Sequence, residues 1–186
     1  MQQTKVRYYT ATTLDGFLAD EQHSLEWLFE VKREEESSDF MTSLGAFVMG
    51  RNTFDWIVQH EKLGEHPEKW REWHGDLPCW VFTNRELVIP AGANIKPVQG
   101  PVKPVYEAMV AAAQGKDIWM AGGGELAARF ADEGLLDELT LHIAPVTLGK
   151  GAPLLPRRIL SSRLQLIDVR QNGQFIDARY RLSPPP

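Results

Sequence analysis

Apolar and polar positions along the chain fall into blocks that predict a sheet covered by helices. Three wholly apolar segments of strand length occur at 46–49, 78–82 and 118–121, and each ends in small, polar or basic residues. Uniformly apolar strands are typical of a parallel sheet with helices on both faces. Apolar residues at helical spacing over 102–113 and 125–133 complete the alternation. The pattern therefore predicts βαβ units in the first half of the chain.

Further elements are predicted on either side of this alternation. A first strand over 6–13 ends at the Asp-Gly turn signal of 15–16 and is followed by the apolar Phe17-Leu18-Ala19. Apolar residues at helical spacing predict a helix over 25–31, another that follows the acidic run and continues through Leu44, and a third that begins near Phe54. The acidic run at 34–39 is interpreted as a solvated helix end.

The C-terminal third lacks helical patterns and predicts an antiparallel end to the sheet. Its strand candidates are 138–146, 164–169 and 175–182, with a hairpin turn at 171–174. A parallel first part followed by this hairpin predicts a mixed sheet. We expect one domain over residues 1–183, with 184–186 as a frayed tail.

Composition narrows the classes of function. The 186 residues carry a formal charge of −5, and the 20 Lys and Arg residues are scattered, which argues against a nucleic-acid partner. Cys79 is the single cysteine and cannot form an internal disulfide, and the N-terminus has no signal-peptide core. No apolar stretch reaches membrane-spanning length. The expectation is a cytoplasmic protein without a membrane partner.

Three of the predicted strands end in small, polar or basic residues. These ends read GRNT at 50–53, TNR at 83–85 and GGG at 122–124. Ligands of open α/β sheets settle at the carboxyl ends of strands, where helix N-termini favour anions. Arg51 and Arg85 are placed to reach a phosphate there. The alternative for each triplet is a simple cap or turn.

The glycine triplet also fits the dinucleotide fingerprint G-x-G-x-x-A over 122–127. That fingerprint requires an acidic residue about twenty positions later to hold the ribose, whereas this chain has Leu141-His142-Ile143 there. The motif also falls late in the chain. A standard Rossmann domain is therefore the poorer explanation.

An ordered set of motifs carries a specific resemblance. TTLDGFLAD (12–20), FVMGRNTFDWI (47–57), FTNR (82–85) and the block from IWMAGGGEL to PLLP (118–156) resemble the dihydrofolate reductase-like superfamily. The closest branch is the RibD C-terminal domain, the riboflavin-biosynthesis reductase. The resemblance implies an α/β fold of three layers, with a mixed, mostly parallel central sheet, helices on both faces and an antiparallel C-terminal hairpin. It also implies an NADPH-dependent reductase, often a homodimer.

The same resemblance assigns cofactor contacts to the three strand ends. In the superfamily, two of the glycines are commonly joined by a cis peptide. GRNT would hold the pyrophosphate, TNR would surround the adenosine ribose and its 2′-phosphate, and two earlier residues would cover the nicotinamide. The implied cofactor-binding residues are Ala11, Leu18, Gly50, Arg51, Thr53, Thr83, Asn84, Arg85, Gly122, Gly123, Gly124, Glu125 and Leu126.

The substrate side departs from the folate enzymes. Those enzymes hold the pterin with an acid near the start of the helix after the first loop, where alignment places Ser24; Glu26 or Glu30 fits only in another register. The threonine that assists this acid falls at Leu141. Folate is therefore not the expected substrate. Asp15 remains as a catalytic candidate, with a structural role in its Asp-Gly turn as the alternative.

Aromatic side chains supply candidates for the substrate wall. Trp27, Phe54 and Trp56 are placed to line a flat heterocycle, with core packing as the alternative for residues at helical spacing. No metal site is expected, because HEKLGEH at 60–66 lacks the second histidine of H-E-x-x-H. His142 is interpreted as a core or interface histidine and Cys79 as inert packing.

These observations favour one function and leave two others open. The first hypothesis is an NADPH-dependent reductase of a small heterocycle, resembling 5-amino-6-(5-phosphoribosylamino)uracil reductase. The second is a catalytically lapsed NADP(H)- or nucleotide-binding protein that acts as a sensor or scaffold. The third is a structural dimeric domain without a ligand.

Overall fold

A computed structural model describes residues 4–33 and 39–186. The strands are β1 (Val6–Thr13), β2 (Phe17–Ala19), β3 (Leu44–Gly50), β4 (Cys79–Phe82), β5 (Ile95–Val98), β6 (Asp117–Gly122), β7 (Glu138–Ala144), β8 (Ala152–Pro153), β9 (Leu164–Asn172) and β10 (Phe175–Leu182). The helices are α1 (Glu26–Phe29), α2 (Asp39–Thr42), α3 (Arg51–His60), α4 (Glu68–His74), α5 (Val102–Ala113) and α6 (Gly124–Asp132).

Eight strands form one mixed sheet in the order β5-β4-β3-β6-β1-β7-β10-β9. The first six of this order pair in parallel, and β10 joins β7 and β9 antiparallel. β2 and β8 form a separate two-stranded sheet. Because β4, β3 and β6 are parallel neighbours, their carboxyl ends meet at one edge, and this order brings the GRNT, TNR and GGG segments together.

Helices cover both faces of the sheet, as the sequence predicts. Alternating residues of a strand point to opposite faces, so Val48 joins one core and Phe47 the other. The first core also holds apolar residues of α5 and α6, and the second holds Phe54 of α3 and Trp70 of α4. The expected three layers, with a mixed and mostly parallel central sheet, helices on both faces and an antiparallel C-terminal hairpin, are therefore confirmed.

Several element boundaries differ from the sequence predictions. The helix expected to run through Leu44 ends at Thr42, because Leu44 is the first buried residue of β3. Four elements were not predicted, namely α4, β5, β8 and β2, whose residues were expected to lie in an ordered loop after the first strand. Lys96 and Pro97 obscure the apolar pattern of β5, and Trp70 is the one buried residue of α4. The acidic run at 34–39 lies outside the described residues, apart from the backbone of Asp39.

The C-terminal tail is less free than expected. Residues 183–186 are exposed and have no regular structure. A Cβ at Gly134, however, would lie 3.2 Å from both Pro184 and Pro185, so these prolines pack beside that glycine. In the described part of the chain, no helix is long and apolar enough to cross a membrane.

Candidate functional site

A cavity of about 650 Å³ opens at the edge of the sheet where β1, β3 and β6 end. We call it the main cavity. The predicted cofactor residues line it, with the exception of Thr83, Asn84 and Arg85. Its full lining is Thr10, Ala11, Leu18, Ala19, His23, Leu25, Trp27, Leu28, Gly50, Arg51, Asn52, Thr53, Trp56, Ala121, Gly122, Gly123, Gly124, Glu125, Leu126, Ala152, Pro153 and Pro156.

The three glycines of the triplet differ in their backbone angles and in the space around them. Gly122 has φ +142°, and a Cβ there would lie 3.1 Å from Oγ1 of Thr53. A Cβ at Gly124 would lie 2.0 Å from the carbonyl oxygen of Pro153, so α6 begins in direct contact with that loop. Gly123 has an ordinary φ of −94° and no heavy atom within 4 Å of a Cβ position. The peptide between Gly122 and Gly123 is cis, as the resemblance implies.

Two helices begin at this cavity without a side-chain cap. Gly50 is the N-cap of α3 and Gly123 the N-cap of α6, and neither helix has a capping hydrogen bond from a side chain. The first N–H groups of a helix have no partner within the helix and carry its positive dipole end. Both helix starts therefore present backbone donors suited to an anion.

Arg51 is held in place at the start of α3. Its Nε donates to Oδ1 of Asp55 at 2.7 Å, and its Nη1 donates to the carbonyl oxygen of Glu86 at 2.9 Å. Its Nη1 also lies 3.4 Å from Oγ1 of Thr83. These contacts join the carboxyl ends of β3 and β4 and fix a positive charge beside the main cavity.

The TNR segment lies beside Arg51 and outside the main cavity. The Thr83 hydroxyl bonds to the carbonyl and the N–H of Arg85, both at 3.0 Å, so it shapes its own loop. Asn84 is exposed, and the Arg85 side chain is 69% exposed. Asn84 and Arg85 are therefore accessible to a ligand that extends beyond the main cavity, although Nη2 of Arg85 also lies 3.9 Å from Oδ2 of Asp55.

Glu125 is the one carboxylate among the described residues that line the main cavity. It lies in the first turn of α6 and is paired with Arg157, whose Nη2 and Nη1 donate to its two oxygens at 2.7 and 3.1 Å. Arg157 also donates to Asp132 at 2.9 Å. The pairing offsets the negative charge that Glu125 places near the helix start.

The aromatic predictions divide into two outcomes. Trp27 and Trp56 line the main cavity, and contact with a substrate stays a prediction for both; Trp27 is also buried and belongs to a core cluster. The prediction for Phe54 is wrong, because its side chain is 2% exposed and packs with Trp70 in the core under α3. Phe54, Ile57 and Val58 share one helix face at i, i+3 and i+4, and that face meets the sheet.

Asp15 does not line the main cavity, and its contacts fit the structural role in the Asp-Gly turn that the sequence left as the alternative. Thr13 donates to Oδ1 of Asp15 at 2.5 Å, and the backbone N–H groups of Leu148 and Gly149 donate to Oδ2 at 3.1 and 2.7 Å. The Thr13 hydroxyl, together with these N–H groups, lowers the pKa of Asp15. The carboxylate therefore ties the β1–β2 turn to the loop after β7.

No carboxylate occupies the position of the folate-binding acid in the main cavity. The Ser24 hydroxyl accepts a hydrogen bond from the N–H of Glu26 at 3.2 Å, at the approach to α1. Glu26 lines an adjoining smaller cavity, and Glu30 lines neither. The described lining of the main cavity thus offers no free carboxylate to a substrate.

The two other residues with reactive side chains, His142 and Cys79, are buried in the fold. His142 is 5% exposed, its Nδ1 is hydrogen-bonded to Asp177, and it lines neither cavity. Burial raises the pKa of the Cys79 thiol well above its usual value. Within residues 4–33 and 39–186, no group of three His, Cys, Asp or Glu side chains is placed to hold a metal.

Sequence reasoning missed two parts of the main cavity. His23 and Leu25 reach it from the segment before α1, and His23 adopts a positive φ of 61°. Ala152, Pro153 and Pro156 of the segment 152–156 also line the main cavity. Long-range bonds hold that segment, including Leu154 N–H to Gly16 at 2.9 Å and the Tyr8 hydroxyl to the Leu154 carbonyl at 2.9 Å. No local pattern signals contacts of this range.

Comparisons with known proteins agree with this architecture. The uncharacterized protein YyaP of Bacillus subtilis (strain 168) is 30% identical over 190 residues, covering 96% of this chain and 90% of that protein. A pyrimidine reductase-like protein from Corynebacterium diphtheriae has a TM-score of 0.67 at 15% identity, covering 98% of this chain and 93% of that one. The dihydrofolate reductase of Enterococcus faecalis, solved with NADP(H), has a TM-score of 0.60 at 15% identity, covering 99% of each chain.

The two structural likenesses show a shared fold. The family assignment comes from the sequence, because residues 75–176 match the RibD C-terminal domain. The matched segment includes β4, the whole glycine triplet and the strands up to the start of β10. The chain belongs to the RibD C-terminal domain family.

Proposed function

We propose that this protein is an NADPH-dependent reductase of a small heterocyclic substrate. One observation carries the proposal: two uncapped helix starts and a glycine backbone meet across the main cavity. Family membership supports a reductase-type role, and the enterococcal reductase of the same fold was solved with NADP(H).

The residues present fit a dinucleotide phosphate cofactor. Gly123 leaves open space where any other residue would carry a Cβ, so a pyrophosphate can approach the backbone donors of α6. Gly50, Thr53 and the start of α3 face it from the other side. Arg51 and Arg85 supply positive charge for the 2′-phosphate. Backbone donors and fixed cations together are suited to bind a phosphate-rich ligand.

The apolar part of the main cavity's lining is suited to a flat ring. Trp27 and Trp56 line it, and Ala11 and Leu18 add small apolar surface beside the glycines. When bound, NADPH supplies a hydride to a C=N or C=O carbon of the substrate. The role of this chain is then to hold both rings in contact and to exclude water from the reacting carbon. The matching proton goes to the substrate heteroatom from solvent, because Glu125 is paired with Arg157.

The experiment is cofactor oxidation with a panel of substrates. Purified protein is incubated with NADPH and, separately, with pyrimidines, pterins and quinones, while the absorbance of the reduced cofactor is followed. The proposal predicts turnover with at least one heterocycle and a preference for NADPH over NADH. Binding of NADPH without turnover of any compound would contradict the reductase proposal.

One observation favours a second candidate function. The described lining of the main cavity holds no free carboxylate, a feature that a cofactor-binding protein without chemistry would share. That candidate is a sensor or scaffold that binds NADP(H). The same panel separates the two, because a sensor binds the cofactor and leaves its absorbance unchanged.

The assembly and cellular site of this protein remain proposals. We propose a homodimer in the cytoplasm and a single domain over residues 1–183. Exposed apolar side chains on the outer strands, Leu166, Val169 and Ile176, support self-association. Sedimentation equilibrium measures the mass of the assembly, and a monomer at micromolar concentration would contradict the dimer.

A further inference from the structure

A second, smaller cavity of about 450 Å³ adjoins the main one. We call it the outer cavity. It shares His23, Leu25, Asn52 and Trp56 with the main cavity, so the two form a continuous cleft between α3 and the segment leading into α1. A substrate ring held at Trp27 and Trp56 would extend its outer substituent into this space. The remaining lining is Gln22, Ser24, Glu26, Phe29, Asp55, Gln59 and His60.

The charge of the outer cavity is unfavourable to an anion. No Lys or Arg is among its described lining residues, whereas Glu26 and Asp55 are. Asp55 is paired with Arg51 at 2.7 Å, and its Oδ2 lies 3.9 Å from Nη2 of Arg85, so the charge of Asp55 is offset within the protein. Glu26 has no ion-pair partner among the described residues, and a like charge beside it raises the free energy of binding. A phosphate in this cavity would therefore meet an uncompensated carboxylate.

The other features of the outer cavity are suited to an uncharged, hydroxyl-bearing group. Gln22, Ser24, Asn52 and Gln59 provide amides and a hydroxyl that can both donate and accept hydrogen bonds. Beside them three rings are stacked: Trp56 on His60 with centroids 4.4 Å apart, and Phe29 on His60 at 5.1 Å. Phe29 is 60% exposed, so its ring is available to a ligand.

We infer that the substrate is an unphosphorylated heterocycle whose outer arm is a neutral sugar or polyol bound in the outer cavity. This inference rests on the proposed function and deepens it, because it names the substrate class. It also separates this chain from the reaction that the family resemblance implies, whose substrate carries a phosphoribosyl arm. The reaction that supplies this substrate must then either remove the phosphate from a phosphoribosyl precursor or start from a precursor that carries no phosphate.

The experiment compares two probes that differ in one phosphate. The probes are 5-amino-6-(ribosylamino)uracil and its 5′-phosphate, each titrated by calorimetry into protein saturated with NADP⁺, the oxidised cofactor, which cannot reduce the probe. The inference predicts that the phosphate ester binds at least about tenfold more weakly than the nucleoside.

Three variants test the cause of that difference. Glu26→Gln removes the free carboxylate and is expected to reduce the discrimination to about threefold or less. Glu30→Gln is the matched control, because it removes the same charge from a residue that lines neither cavity. Phe29→Leu removes the exposed ring and is expected to weaken nucleoside binding by about threefold to tenfold.

Each outcome decides between distinct conclusions. Equal or tighter binding of the phosphate ester overturns the inference, as does unchanged discrimination in Glu26→Gln. Protein that binds NADPH but neither probe overturns the inference of a sugar-binding outer cavity and leaves the cofactor proposal standing. Protein that fails to bind NADPH overturns the proposed function itself.

Discussion

Nε of Arg51 donates a hydrogen bond to Oδ1 of Asp55 at 2.7 Å, one turn further along α3. The ion pair holds the guanidinium beside the main cavity before a ligand binds, which lowers the entropic cost of using it. Asp55 also places a negative charge close to any phosphate that Arg51 contacts. The ion pair therefore positions the Arg51 guanidinium and partly neutralises its charge.

These two effects separate in the Asp55→Asn variant. Asparagine keeps the Oδ1 acceptor but loses the charge, so Arg51 stays oriented and meets an anion with its full charge. We expect the NADPH dissociation constant to fall by about twofold to fivefold and that of NADH to change less. Fluorescence titration measures both constants. Identical changes for the two cofactors would show that Arg51 does not contact the 2′-phosphate.

Removing the cations tests the same contact from the other side. Arg51→Ala and Arg85→Ala are each expected to weaken NADPH binding by about tenfold or more, with NADH weakened much less, since a charge-assisted hydrogen bond contributes about 1.5–3 kcal/mol. Arg71→Ala is the control, because Arg71 is paired with Asp76 and lines neither cavity. Equal losses for both cofactors would assign the arginines to the fold alone.

Alanine substitution at Gly123 and at Gly124 is expected to have different effects on the free energy of unfolding. Gly124→Ala places a Cβ against the carbonyl oxygen of Pro153 and should lower the free energy of unfolding by about 1–3 kcal/mol. Gly123→Ala meets open space at an ordinary φ and should leave that free energy nearly unchanged. Urea denaturation of the two variants measures the difference. Equal destabilisation would contradict the distinct roles assigned to these glycines.

Asp15 predicts a pH-dependent contribution to stability. Its pKa is lowered in the folded protein, so it stabilises the fold above the ordinary carboxyl pKa of 3.8 and loses this contribution as the pH falls towards the lowered value. Asp15→Asn should therefore unfold at a lower temperature than the parent at pH 7, and the difference should shrink below about pH 4. Turnover should not change, because Asp15 lies outside the main cavity. A large loss of turnover in the folded variant would restore it as a catalytic residue.

The strand ends were predictable from the sequence because parallel strands bring their carboxyl ends to one edge. Gly50, Arg51 and the glycine triplet follow uniformly apolar segments and line the main cavity, whereas the TNR segment follows the same pattern and lies outside it. Phe54 was placed wrongly, although its spacing to Ile57 and Val58 already indicates a buried face. The place of residues 152–156 at the main cavity could not be predicted, because hydrogen bonds to Tyr8 of β1 and to Gly16 in the following turn hold this segment in place.

The central claim is that a dinucleotide phosphate binds against the bare backbone at Gly123. Trp27 and Trp56 line the same cavity, so tryptophan emission reports its occupancy. The account predicts quenching by NADPH in the parent protein and at least about tenfold weaker binding in Gly123→Ala, with unfolding unchanged. Equal NADPH affinity in the parent and the variant, or no binding by the parent at millimolar NADPH, would contradict it.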